Sequence, residues 1–97
     1  WFTELEKFGM PSDNILTDEV WNRPNMAVGH YTQVVYESSY KLGCGIAVCS
    51  DMTLVVCQYS PPGNWGGEPI YTIGEPCKTD SDCQCDGCKC SSDEALC

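Results

Sequence analysis

Residues 41–60, KLGCGIAVCSDMTLVVCQYS, hold two runs rich in β-branched and apolar side chains on either side of Ser50-Asp51-Met52. That pattern predicts an antiparallel hairpin. With the turn centred near Asp51, Cys44 stands almost opposite Cys57, within reach of a cross-strand disulfide. Closing a loop of that length stabilises the fold by about 3 kcal/mol on a loop-entropy estimate. Cys49 has no such partner, because it sits beside the turn and faces Met52 and Thr53.

Upstream of the hairpin, VGHYTQVVYES (28–38) contains the only histidine of the chain, His30. Tyr31, Val34 and Val35 follow it at helical intervals, and a two-turn helix is predicted. Residues 1–8 place Trp1, Phe2, Leu5 and Phe8 at helical spacing until Gly9 and Pro11 end the run. This reads as the last part of a helix whose start lies before Trp1, with Trp1 buried. Residues 10–27, rich in Pro, Asn, Ser and Asp, read as a loop anchored by Ile15, Leu16, Val20 and Trp21.

Downstream, SPPGNWGGEP (60–69) is a Pro/Gly loop that cannot continue a sheet. Its Trp65 is harder to assign to a core than the other aromatics and makes the loop a candidate contact surface. A short YTI segment leads to Gly74, where composition changes. Residues 75–97 carry Cys77, Cys83, Cys85, Cys88, Cys90 and Cys97, six acids, two lysines and almost no large apolar side chain. Such a tail cannot hold itself by a core; three bridges with about 15 connectivities open are the expectation. Thiolates spaced as in Cys83–Cys90 also suit soft metals, but the acidic surroundings and the nearby hairpin bridge favour disulfides. One hairpin pair and three tail pairs use eight of the nine cysteines, so Cys49 is expected to find its partner outside this chain.

Nine cysteines in 97 residues point to an oxidising, extracellular compartment. A net charge of -9 argues against phosphate backbones and anionic lipid surfaces as partners and leaves basic ligands or proteins open. No signal peptide, glycosylation sequon or apolar run of roughly 20 residues is visible, so membrane insertion is not expected, and the acidic charge makes nucleic-acid binding unexpected as well.

GHYTQVVYESS followed by LVVCQYSPPGNW resembles the two signature motifs of the CAP superfamily, the cysteine-rich secretory, antigen 5 and pathogenesis-related proteins. Tyr36 stands where the family usually has Trp. The opening WFTELEKF resembles the family's aromatic W-[FY]-x-E helix. GEPCKTDSDCQCDGCKCSSDEALC together with KLGC is similar to the nematode activation-associated secreted proteins. The resemblance implies an α/β fold: residues 1–74 as the back half of a three-layer α-β-α sandwich, residues 75–97 as a disulfide-stapled tail. It also implies a missing N-terminal half, carrying HNxxR-like and GEN-like motifs absent here. In relatives the cysteine equivalent to Cys49 bonds to that half, and the hairpin pair matches Cys44 and Cys57.

The family cavity is lined by two histidines and two acids and holds a divalent metal in some members. His30 matches its second histidine and Glu4 its second acid, which makes both candidate metal ligands, for zinc above all. For His30 the alternative is a buried imidazole that hydrogen-bonds a carboxylate. One imidazole cannot complete a zinc site alone. A hydrolase needs an activated nucleophile, and Thr32, Ser38 and Ser39 carry no mark of one, so no catalytic residue is assigned. The branch implies a secreted, non-enzymatic parasite protein that recognises host extracellular or cell-surface proteins, integrin-type receptors among them, in immune or haemostatic modulation. Lipid or sterol carriage and a metal-dependent hydrolase are the alternatives.

Overall fold

Strands β1 (Lys41–Val48) and β2 (Thr53–Ser60) form a two-stranded antiparallel sheet in a computed structural model that describes all 97 residues. Cys44 pairs with Cys57 and Val48 with Thr53. The connection is four residues long and is closed by Cys49 N–H donating to Met52 O at 2.8 Å, one residue wider than the sequence suggests. Leu42, Ile46, Val48, Leu54, Val55 and Val56 are exposed, so the hairpin adds no side chain to the buried core. The Ser60–Pro61 peptide is cis where the chain leaves the sheet.

Three short helices precede it: α1 (Glu4–Phe8), α2 (Asp18–Trp21) and α3 (Gly29–Val34). Helix α1 begins later than the aromatic spacing predicts. Phe2 and Thr3 form a turn ahead of it, closed by Glu4 N–H donating to Trp1 O at 3.2 Å, and Trp1 and Phe2 are 48% and 60% exposed, which corrects the expectation of a buried Trp1. Gly9 ends the helix at φ +70, a conformation that costs a residue without Cβ little.

Helix α2 lies inside the segment read as loop. Thr17 caps it, its Oγ1 accepting from Val20 N–H at 3.2 Å, and Asp18 and Glu19 occupy the positive end of its dipole.

The core gathers Leu16, Val20, Val28 and Ile70, with Phe8, Met10, Val35 and Tyr36 packed around it. Two of the four expected loop anchors, Leu16 and Val20, are in it, whereas Trp21 is half exposed. Backbone bonds join residues 14–16 to 67–70: Leu16 N–H to Glu68 O, Gly67 N–H to Leu16 O, and Ile70 N–H to Asn14 O. Only seven of 97 residues are buried. With so little apolar burial, covalent bridges carry much of the constraint.

Arg23 makes the tie between α1 and α2. Its guanidinium donates to Phe8 O at 3.1 Å and Gly9 O at 2.9 Å, and its Nε to Val20 O at 3.3 Å. The final carbonyl of α1 and that of its capping Gly9 are thereby satisfied.

Candidate functional site

Glu4 sits in the first turn of α1 and His30 in the first turn of α3. Glu4 Oε1 lies 2.7 Å from His30 Nδ1, and Oε2 accepts the Tyr31 N–H at 2.9 Å. Burial pushes the Glu4 pKa up, but the Tyr31 and His30 bonds together outweigh it and the net shift is downward. An ionised carboxylate only accepts hydrogen bonds, so Nδ1 carries the proton, and in the neutral imidazole Nε2 keeps the free lone pair. The imidazole side chain is 61% exposed and Glu4 15%. The buried-histidine alternative is therefore right about the carboxylate and wrong about the burial.

Trp1 stacks on the imidazole, rings 5.5 Å apart and 7° from parallel, while Phe2 meets Tyr31 edge-on. Nε2 is thus presented by a ring held from two sides. Both oxygens of Glu4 are committed within the protein, so here Glu4 orients the imidazole, and His30 is the residue with a free ligand atom. This is the arrangement in which a carboxylate fixes the tautomer of a metal-binding histidine.

An apolar groove of about 520 Å³ opens beside His30, walled by Trp1, Trp21, Val28, Val34, Val56 and Tyr59. The hydroxyls nearby are spent on structure. Thr32 Oγ1 donates to Asn64 Oδ1 at 2.6 Å, and Ser39 Oγ donates to Pro61 O at 2.7 Å while accepting from Gln33 at 3.1 Å. Asn64 in turn donates to Gly29 O at 3.0 Å. The loop is thereby fastened to α3. Trp65, 55% exposed, is pinned by its Nε1–H to Pro62 O at 2.9 Å.

Cys44 and Cys57 are bridged across their register pair, and Cys49 is a free, exposed thiol. In the tail the bridges are Cys77–Cys90, Cys83–Cys97 and Cys85–Cys88. The sulfurs of Cys77, Cys83 and Cys97 lie within 4.8 Å of one another, but all three are in bridges and none is a thiolate able to ligate a soft metal. Asp80 accepts from Lys89 and from Cys90 N–H, and Asp82 from the amides of Lys78 and Thr79. These bonds lower both carboxyl pKa values.

Asn64 and Arg23 escape the sequence reading. For Asn64 the available signal is an Asn between Gly63 and Trp65, the residue type that tolerates its φ of +63. For Arg23 it is a lone cation preceding a proline. Neither names a partner.

Residues 1–59 match the CAP family of cysteine-rich secretory proteins, and the chain belongs to that family. It is 49% identical over its full length to the Ancylostoma secreted protein of Ancylostoma caninum, and 49% identical over 79% of its length to the cysteine-rich venom protein VAR10 of Varanus varius. It superposes on the crystal structure of Na-ASP-1 with a TM-score of 0.85 at 49% identity, and on that of NaASP2 with Zn2+ at 0.80 and 42%, each over 100% of this chain. The chain spans 22% of the Ancylostoma protein, 36% of VAR10, 23% of Na-ASP-1 and 46% of NaASP2. Its α/β architecture is thus a fragment of the CAP fold of nematode secreted proteins. No helix is long and apolar enough to cross a membrane.

Proposed function

We propose that this chain is the back part of a secreted extracellular protein that acts by recognising host proteins rather than by catalysis. Residues 1–74 supply the later elements of the CAP sandwich, and residues 75–97 form a separately stapled tail. The observation that carries the reading is Trp65, an exposed indole pinned to Pro62 on a loop that Asn64 ties to α3. A pre-ordered, half-exposed Trp is the kind of anchor on which binding energy concentrates, because little freedom is lost on contact. Thr32 and Ser39 support the non-catalytic part, since their hydroxyls are committed to structural bonds. The secreted nematode and reptile venom relatives support the extracellular setting.

Fluorescent full-length protein applied to leukocytes and platelets tests this. Surface binding should fall about tenfold or more with Trp65→Ala, the loss typical of a strong aromatic anchor. Absent binding, or equal binding by the variant, sinks the reading. Lipid recovered by extraction and mass spectrometry from the purified protein would favour the carrier alternative.

A second reading is favoured by His30: a zinc site completed by residues outside this chain. A ring with one nitrogen fixed by Glu4 and the other free fits zinc, and the NaASP2 structure is described with Zn2+. When bound, zinc would supply Lewis-acid polarisation or a structural tie. Zinc titration of the full-length protein should lose binding with His30→Ala and weaken by about 10–100-fold with Glu4→Ala. Unchanged affinity in His30→Ala ends it, and unchanged peptide cleavage in that variant ends the hydrolase alternative.

A further inference from the structure

The turn Cys85-Asp86-Gly87-Cys88 plays no part in either reading. Its cysteines are bridged across a separation of 3 residues, whereas Cys44–Cys57, Cys77–Cys90 and Cys83–Cys97 span 13, 13 and 14. The two long tail loops overlap, and the inner turn lies within both. Cys83 and Cys90 flank it, each a single residue removed, so the outer framework holds its ends whether or not the inner bridge is closed. The turn also has its own local support, with Gly87 at φ +73 and Cys88 N–H donating to Cys85 O at 3.4 Å.

Constraint on the unfolded chain grows with the loop a bridge closes, so the inner bridge contributes least to the framework. It is also open to attack. Cys85 is exposed, as Cys44 and Cys97 of two other bridges also are, so the short span rather than the exposure sets this bridge apart. We propose that Cys85–Cys88 is a thiol–disulfide exchange site that oxidises external dithiols.

A thiolate of the dithiol attacks Cys85 Sγ, the bond between the two cysteine sulfurs breaks, and Cys88 leaves as a thiolate that takes a proton from water. The second thiolate of the dithiol then attacks the mixed disulfide. Cys85 is released as a thiol after taking a proton from water, and the dithiol leaves as its disulfide. Two electrons pass from the dithiol to the bridge. Asp86 inside the turn and the net charge of -9 repel anionic thiols, so neutral or basic dithiols are the matching class.

The test uses the native full-length protein with free thiols blocked beforehand. Dithiothreitol is added at about pH 7, where thiolate is a minor form, and newly exposed cysteines are alkylated and mapped by mass spectrometry. Cys85 and Cys88 should be labelled as a pair about tenfold faster than any other bridged cysteine. Reduced glutathione, an anionic thiol, should react more slowly, with the gap narrowing as salt is raised. Another bridge opening first or together with this one overturns the inference. So does a fast reducible phase that persists in the Cys85→Ser/Cys88→Ser double variant.

Discussion

Glu4 and His30 are 26 residues apart in sequence and 2.7 Å apart in space, and the same carboxylate takes the Tyr31 amide. One side chain thus ties the start of α1 to the start of α3. Its pKa is depressed in the folded state, so the stability it contributes is fully present above the ordinary carboxylate value of 4.5 and is lost as pH falls through the lower folded value. Acid titration followed by near-ultraviolet circular dichroism should show the aromatic signal changing in that range. In Glu4→Gln this component should be absent; an unchanged acid profile in the variant would show that the carboxylate contributes nothing to it.

Arg23→Ala should lower stability by about 2 kcal/mol, because three carbonyls lose a charged donor at once. Arg23→Lys should recover only part of that, since a single ammonium cannot reproduce the fork that spans Phe8 O and Gly9 O. Urea denaturation of the variants checks the order wild type, Lys, Ala. A lysine variant as stable as wild type would show that charge alone suffices.

Gly63 and Gly43 should respond oppositely to alanine. A Cβ at Gly63 would stand 2.8 Å from Tyr36 Cγ and 3.0 Å from Gln33 Nε2, whereas at Gly43 it meets nothing within 4 Å. Gly63→Ala is expected to cost about 1–3 kcal/mol through overpacking. Gly43→Ala should be neutral or slightly stabilising, by less than about 1 kcal/mol. Paired thermal melts decide it, and equal melting points would refute the packing at Tyr36.

Thr32 is fully buried and its hydroxyl holds Asn64. Thr32→Val keeps the shape and removes the donor, so it should cost about 1–3 kcal/mol and make the Gly63 amide, which donates to Gln33 Oε1 on the same loop, exchange faster. Thr32→Ser should restore the slow exchange. Hydrogen exchange across residues 61–67 reads this directly, and unchanged protection in the valine variant would mean the loop is held by other contacts.

The hairpin was legible because two β-rich runs and a polar turn specify both strands, and period-two pairing then puts Cys44 against Cys57. The CAP assignment was legible from two motifs in order. Helix α2 was not, because Pro24 and the surrounding Asn residues outweighed the Thr17-Asp18-Glu19 start signal. The tail connectivity was out of reach, since bridging depends on which sulfurs the fold brings together and spacing leaves about 15 options. Likewise Glu4 and His30 were marked by resemblance alone: their contact is tertiary, and no periodicity encodes it. Periodicity did mislead at Trp1, which shares the helical spacing of Leu5 and Phe8 but leaves the helix to lie on an imidazole.

That placement makes Trp1 an optical reporter. An indole lying parallel to an imidazole at 5.5 Å feels the charge of that ring directly, so its emission responds when the ring becomes cationic. A change of charge at His30 can therefore be followed through the intrinsic fluorescence of the unlabelled protein, and the same signal would report zinc if the proposed site takes it, with Trp1→Phe subtracting the background from Trp21 and Trp65.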